Sequence, residues 1–252
     1  MTGGNSTMSE KSLVTTRDNN VIIRREAISG NENIFTDFNK VWVSGIIEEE
    51  FEYSHEVWWE KFYKTRVRVT RLSGTEDCVP IVVSDLLMTN ILEGSLKGKY
   101  VEVGGQFRSH NKFGEDGRKH LDLFLFVTAI NVYESEEEFE DATNANLIYL
   151  DGYICKPPVF RTTPLGRQIT DLMIAVNRTY KKSDYIPCIA WGRVAQYASE
   201  LEVGNRIKLY GRVQSREYFK RFSPESEAGE TRTAYEISIM RMMKVEDLRL
   251  EG

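Results

Sequence analysis

The chain repeats itself. Residues 39–45 read NKVWVSG and residues 146–152 read NLIYLDG, while residues 77–83 read DCVPIVV and residues 184–190 read DYIPCIA. Both matches fall at a spacing of 107 residues, so each unit has the length of one small domain. The offset becomes 106 where Lys97 and Gly98 meet Val203 and Gly204, and it holds from Gly105 to Ser109 against Gly211 to Ser215. A fold for this chain must therefore be one that is built twice.

Within each unit the pattern predicts strand, strand, strand, short helix, strand, strand. In the second unit, β-branched and aromatic runs bounded by Gly, Pro and Asp place strands near 146–156, 168–178, 184–191, 205–218 and 232–243, with a helix near 193–200. The fourth strand alternates most clearly. Ile207, Leu209 and Val213 point one way, and Arg206, Lys208, Tyr210, Arg212, Gln214 and Arg216 the other, giving one core face and one cationic face. Five short strands with a helix between the third and fourth fit the Greek-key barrel called the OB-fold, so the predicted class is all-β, with two tandem OB-folds. The expected domains are 37–133 and 146–247. Residues 134–145, with the acidic run from Glu134 to Asp141, are expected to form an unpacked linker, and residues 1–36 a mobile arm with a short strand at 21–24.

The formal net charge of −5 argues at first against a nucleic-acid partner. The charge is uneven, however. Up to Ala145 there are 16 Lys and Arg against 25 Asp and Glu; beyond it there are 17 against 13, so only the second half is basic. No apolar run is long enough to span a membrane, and the polar start from Met1 to Asn20 lacks the apolar centre of a signal peptide. A cytoplasmic, nucleoid-associated protein is expected. Cys78, Cys155 and Cys188 show no metal-ligand spacing and are expected to be reduced core residues. His55, His110 and His120 read as surface residues, and no metal, cofactor or catalytic set is expected.

The second unit carries further motifs in order: residues 161–166 read RTTPLG, 175–178 AVNR, 191–195 WGRVA and 211–216 GRVQSR. As a set, over about 100 residues, these resemble the bacterial single-stranded DNA-binding protein family, whose domains are of OB-fold size. The resemblance implies sequence-tolerant binding of single-stranded DNA, in replication, repair or recombination, with bases stacked on aromatic side chains along a basic groove. Carried over position by position, the stackers are Tyr180, Tyr185, Trp191 and Tyr218, with Phe219 beside the last. Arg161, Arg178, Lys181, Lys182, Arg212, Arg216 and Lys220 are the expected phosphate contacts. The resemblance also implies four OB-folds per assembly, hence a homodimer of this chain. An acidic tail of the family kind is not expected, because the sequence ends at Asp247 to Gly252, and protein partners stay unassigned.

The first unit departs from the pattern. Ser73, Cys78, Ser84 and Lys112 stand where Tyr180, Tyr185, Trp191 and Tyr218 would be, which makes it a degenerate copy with a structural or accessory role. Its own aromatics, Trp58, Trp59, Phe62 and Tyr63, fall at the hairpin between strands one and two. Adjacent residues on a strand face opposite ways, so at least one Trp is expected to be exposed, for stacking on DNA or packing on another subunit. Two rivals to the DNA reading are an OB pair kept for protein contacts with nucleic-acid binding weakened or lost, and RNA as the ligand.

Overall fold

The structure, a computed structural model, describes residues 16–17, 20–21, 38–89, 94–113, 117, 119–135, 139, 146–178, 181–221 and 226–245. After a two-residue pairing of β1 (Thr16–Arg17) with β2 (Asn20–Val21), the first barrel comprises β3 (Asn39–Ile47), β4 (Glu52–Val57), β5 (Glu60–Thr70), β6 (Glu76–Ser84), α1 (Asp85–Met88), β7 (Tyr100–Phe113) and β8 (Lys119–Tyr133). The second comprises β9 (Asn146–Ile154), β10 (Val159–Thr162), β11 (Gln168–Asn177), β12 (Ser183–Trp191), α2 (Gly192–Ser199), β13 (Arg206–Arg221) and β14 (Gly229–Lys244). The five strands predicted for the second unit are all present. The short strands β4 and β10, each pairing with the strand that follows, are additions.

Both barrels close in the same way. In the first, β3 pairs with β5 and β7, β5 with β6, β7 with β8, and β6 runs parallel to β8 at Ile81–Val82 against Leu125–Phe126. In the second, β9, β11, β12, β14 and β13 repeat that circuit, with the parallel contact at Cys188–Ile189 against Ile237–Ser238. This is the OB-fold, twice. Its cores are filled by equivalent residues: Val41 and Ile148, Val43 and Leu150, Ile81 and Cys188, Val103 and Leu209, Phe107 and Val213 are all buried. The repeated glycine that ends each opening motif is required where the first strand crosses the second. A Cβ on Gly45 would lie 2.2 Å from the Arg68 carbonyl oxygen, and one on Gly152 2.6 Å from that of Ala175.

Strand β3 also pairs with β9, which joins the two barrels into one sheet of 12 strands. The register is antiparallel, Asn39 with Leu150 and Val43 with Asn146, so that Val41 faces Ile148, its own equivalent at the 107-residue offset. The barrels are thus related about this pair as two identical subunits would be across an isologous interface.

Three expectations are corrected by the structure. Only Cys188 is buried; Cys78 and Cys155 are half-buried. Trp58 and Trp59 are not on a strand. They form the two-residue turn between β4 and β5, both at positive φ (52° and 70°) and both about nine-tenths exposed. Within the acidic run, Glu134 pairs with Lys99, and the Phe139 ring packs 5.1 Å from that of Tyr100, so this stretch does pack in part. Residues 140–145 and most of residues 1–36, including 22–24, lie outside the described residues.

Candidate nucleic-acid interface

The predicted aromatic positions fall on two strands. Tyr185 lies near the start of β12, between the buried Asp184 and Ile186, and is 44% exposed. Trp191 ends the same strand, half-buried, where the chain turns into α2. Tyr218 and Phe219 lie on the far half of β13 and are 38% and 57% exposed. Tyr180 lies outside the described residues.

The predicted cations separate into two groups. Arg216 stands with its guanidinium 5.7 Å from the centre of the Tyr218 ring, on the face that strand alternation assigns to both. Lys220 follows two residues later on the same face, and Lys181 and Lys182 are exposed in the turn between β11 and β12. None of these four is ion-paired among the described residues. Arg161 is exposed but paired with Asp171 across the β10–β11 hairpin at 2.7 Å.

Arg178 and Arg212 belong elsewhere. Arg178 donates to the Asp184 carboxylate at 2.7 Å and to the Ser109 carbonyl of the first domain at 3.3 Å. Asp184 also accepts the Ser109 N–H at 2.6 Å, and the Tyr185 N–H donates to the Ser109 hydroxyl at 2.8 Å. On the other side of the pseudo-two-fold the set recurs. Asp77 accepts the Ser215 N–H at 2.9 Å and is held by Arg71, and the Cys78 N–H donates to the Ser215 hydroxyl at 3.0 Å. Arg212 lies half-buried near Arg71 and Asp77, its proton affinity lowered by burial and then by the Arg71 charge. Arg178 ties the second barrel to the first through Ser109, and Asp77, held by Arg71, ties the first to the second through Ser215, contacts that the sequence reading missed. The clue was present: Asp and Ser recur at equivalent positions in otherwise apolar strands.

Burial dominates the electrostatics of this seam. It raises the Asp184 carboxyl above the usual range, an effect opposed by the Ser109 N–H and the Arg178 and Arg108 charges. It lowers Arg108 to about 10, helped by the neighbouring Arg178. Arg108 lies 3.6 Å from the centre of the Phe126 ring, whose face accepts a cation.

Comparison with known proteins agrees with this layout. A family model described as the single-strand binding protein family matches residues 145–245, the second barrel. Single-stranded DNA-binding protein 2 of Listeria innocua is 34% identical over 80 residues, 29% of this chain and 50% of that protein. Single-stranded DNA-binding protein A of Bacillus subtilis is 35% identical over 80 residues, 29% of this chain and 46% of that protein. The chain thus spans about half the length of these curated relatives. The single-stranded DNA-binding protein of Thermus aquaticus is 25% identical over 160 residues, 58% of each chain. A crystal structure of a deletion mutant of that protein superposes with a TM-score of 0.63 at 19% identity, covering 85% of this chain and 98% of the other, a likeness of fold across both barrels. The match to the single-strand binding protein family thus lies in the second barrel, residues 145–245.

Proposed function

We propose that the chain is a binding protein for single-stranded DNA, acting in replication, repair or recombination with little preference for sequence. The observation that carries this reading is the exposed aromatic set Tyr185, Tyr218 and Phe219, accompanied by Lys181, Lys182, Arg216 and Lys220, cations without an ion pair among the described residues. Any base has a π-face to stack, and each stacked base contributes roughly 1–3 kcal/mol, while the cations neutralise phosphates without reading sequence. Arg161, half satisfied by Asp171, and Trp191 at the end of β12 flank the same surface. The names of the relatives point the same way.

The test is a tryptophan-fluorescence and anisotropy titration with oligo-dT at two salt concentrations, set against a duplex of equal length. Binding of the single strand only, weakening as salt rises, is the expected result. No binding by either method at low salt would overturn the reading.

We further propose a homodimer, four OB-folds in all. Across β3, β9, β13 and β14 the register sets Lys40, Tyr149, Tyr210 and Arg241 in one row and Trp42 beside Leu147 in the next, on the face opposite the buried Val41, Ile148 and Leu209. The Tyr149 and Tyr210 rings pack at 5.0 Å, tilted by 46°, and Tyr210, Tyr153 and Met243 remain substantially exposed. A sheet face this aromatic fits a partner copy. Light scattering should return twice the chain mass of 29.1 kDa; a single-chain mass would refute the dimer.

A further inference from the structure

Trp58 and Trp59 end the hairpin of β4 and β5 with both rings about nine-tenths exposed, so neither is docked within its own chain. Two adjacent bulky residues at positive φ, in a turn that favours Asn and Gly, are costly, and strain of this kind persists where a role holds it. An indole pair so exposed is a surface for a partner to cover.

The charge around the turn narrows the partner. From Glu48 to Glu60 the chain carries six glutamates and no lysine or arginine. Glu48 and Glu49 are ion-paired with Arg66 and Glu52 with Lys64, but Glu56 and Glu60, each within two residues of the turn, have no ion pair among the described residues. Lys61 lies opposite Glu56 in the hairpin register, also without an ion pair. Such a surplus of carboxylates repels the phosphates of nucleic acid or lipid and attracts a cationic surface.

The second domain carries one. Arg216, Tyr218 and Lys220 alternate along one face of β13, the Arg216 guanidinium beside the Tyr218 ring, and Lys181 and Lys182 are exposed in the turn between β11 and β12. On the neighbouring β14, Arg232 and Glu230 neutralise each other. A row of cations and a ring accepts a flat ring with an anion beside it. A nucleotide presents that pair of features, and so does the turn of Trp58 and Trp59 between Glu56 and Glu60.

We propose that the Trp58–Trp59 turn of one chain docks on the aromatic and cationic face of β13 in another copy, where it competes with single-stranded DNA. The inference rests on the single-strand reading above and adds a regulator to it. The contact holds DNA-free protein in a self-associated form, which a bound strand releases.

The experiment is sedimentation equilibrium of the intact chain over a concentration series, at low and high salt, with and without a short oligo-dT. The parent's mass should rise above its dilute value at low salt and fall back on adding salt or oligo-dT. Trp58→Ala with Trp59→Ala, and separately Tyr218→Ala, should raise the Kd of this self-association about ten-fold or more. Glu56→Gln with Glu60→Gln, which keeps the rings, should weaken it too and flatten its salt dependence. With labelled oligo-dT at dilute protein, the tryptophan variant should bind as the parent does and Tyr218→Ala more weakly. If parent, tryptophan and glutamine variants have the same mass at every concentration, the docking is overturned and the single-strand reading stands. Weaker oligo-dT binding by the tryptophan variant would also overturn it, by placing the rings on DNA. Self-association lost in the tryptophan and Tyr218 variants of a parent that binds no oligo-dT would uphold the docking and overturn the single-strand reading.

Discussion

The Asp184 carboxylate of the second domain accepts the Ser109 N–H of the first at 2.6 Å, and the equivalent pair, Asp77 with Ser215, repeats the contact across the pseudo-two-fold at 2.9 Å. Asp184 and Asp77 are both fully buried, and each holds an arginine of its own domain, Arg178 or Arg71. Removing one partner of a buried pair strands the other charge, at a cost of roughly 3–5 kcal/mol. Asp184→Ala should therefore lower stability by about 3 kcal/mol in urea denaturation, a range set by measured buried pairs. A loss below about 1 kcal/mol would show that the seam does not depend on this carboxylate.

Arg178 and Lys182, four residues apart and equally basic in sequence, should behave differently. Lys182→Ala is expected to make the logarithmic salt slope of oligo-dT binding shallower by about 0.7, the value for one phosphate contact on a single strand. Arg178→Ala should leave that slope unchanged and lower the urea midpoint, because its charge is committed to Asp184. Measuring both slopes in one salt series decides the assignment; equal slopes for the two variants would contradict it.

The turn at Trp58 and Trp59 stores backbone strain. Positive φ at both positions suits Asn followed by Gly in a two-residue hairpin and costs a bulky residue on the order of 1 kcal/mol or more. The double substitution Trp58→Asn with Trp59→Gly should raise stability by about 1–2 kcal/mol in chemical denaturation. A drop in stability would mean that the rings are held by contacts that offset the strain.

Cys78 gives a test by pH. Burial, and then the Glu48 charge, push its thiol up to about 11 from an ordinary value of 9.0. A folded-state value above the unfolded one contributes stability that is complete below about 9 and is lost as pH rises through about 11. The parent should therefore lose more stability than Cys78→Ser between pH 9 and pH 11, and iodoacetamide should label Cys78 slowly at neutral pH. Rapid labelling at pH 7 in the folded protein would refute the burial account.

Much of the architecture is legible locally. Alternation of period two marks the core face of β13 as far as Val213, and the glycine closing each opening motif sits where a Cβ would strike the crossing strand. Gln214 breaks the alternation by being buried, and the reason is not local: here β13 leaves its own barrel and meets the first domain at Asp77. Tyr185, Tyr218, Phe219 and Arg216 lie exposed as alternation and the motifs led one to expect, whereas Arg178 is engaged with Asp184 and Ser109 at the seam and Arg212 is half-buried there.

By itself the sequence determined the two barrels, their closing glycines and the aromatic residues of the second, because periodicity and close backbone approach are properties of neighbouring residues. Tertiary structure decided that Val41 pairs with Ile148, that Ser109 meets Asp184 across 75 residues, and that both tryptophans leave the sheet at a turn. An arginine has the same letter whether it awaits a phosphate or binds a buried carboxylate. Only the docking of one barrel on the other brings that carboxylate within reach.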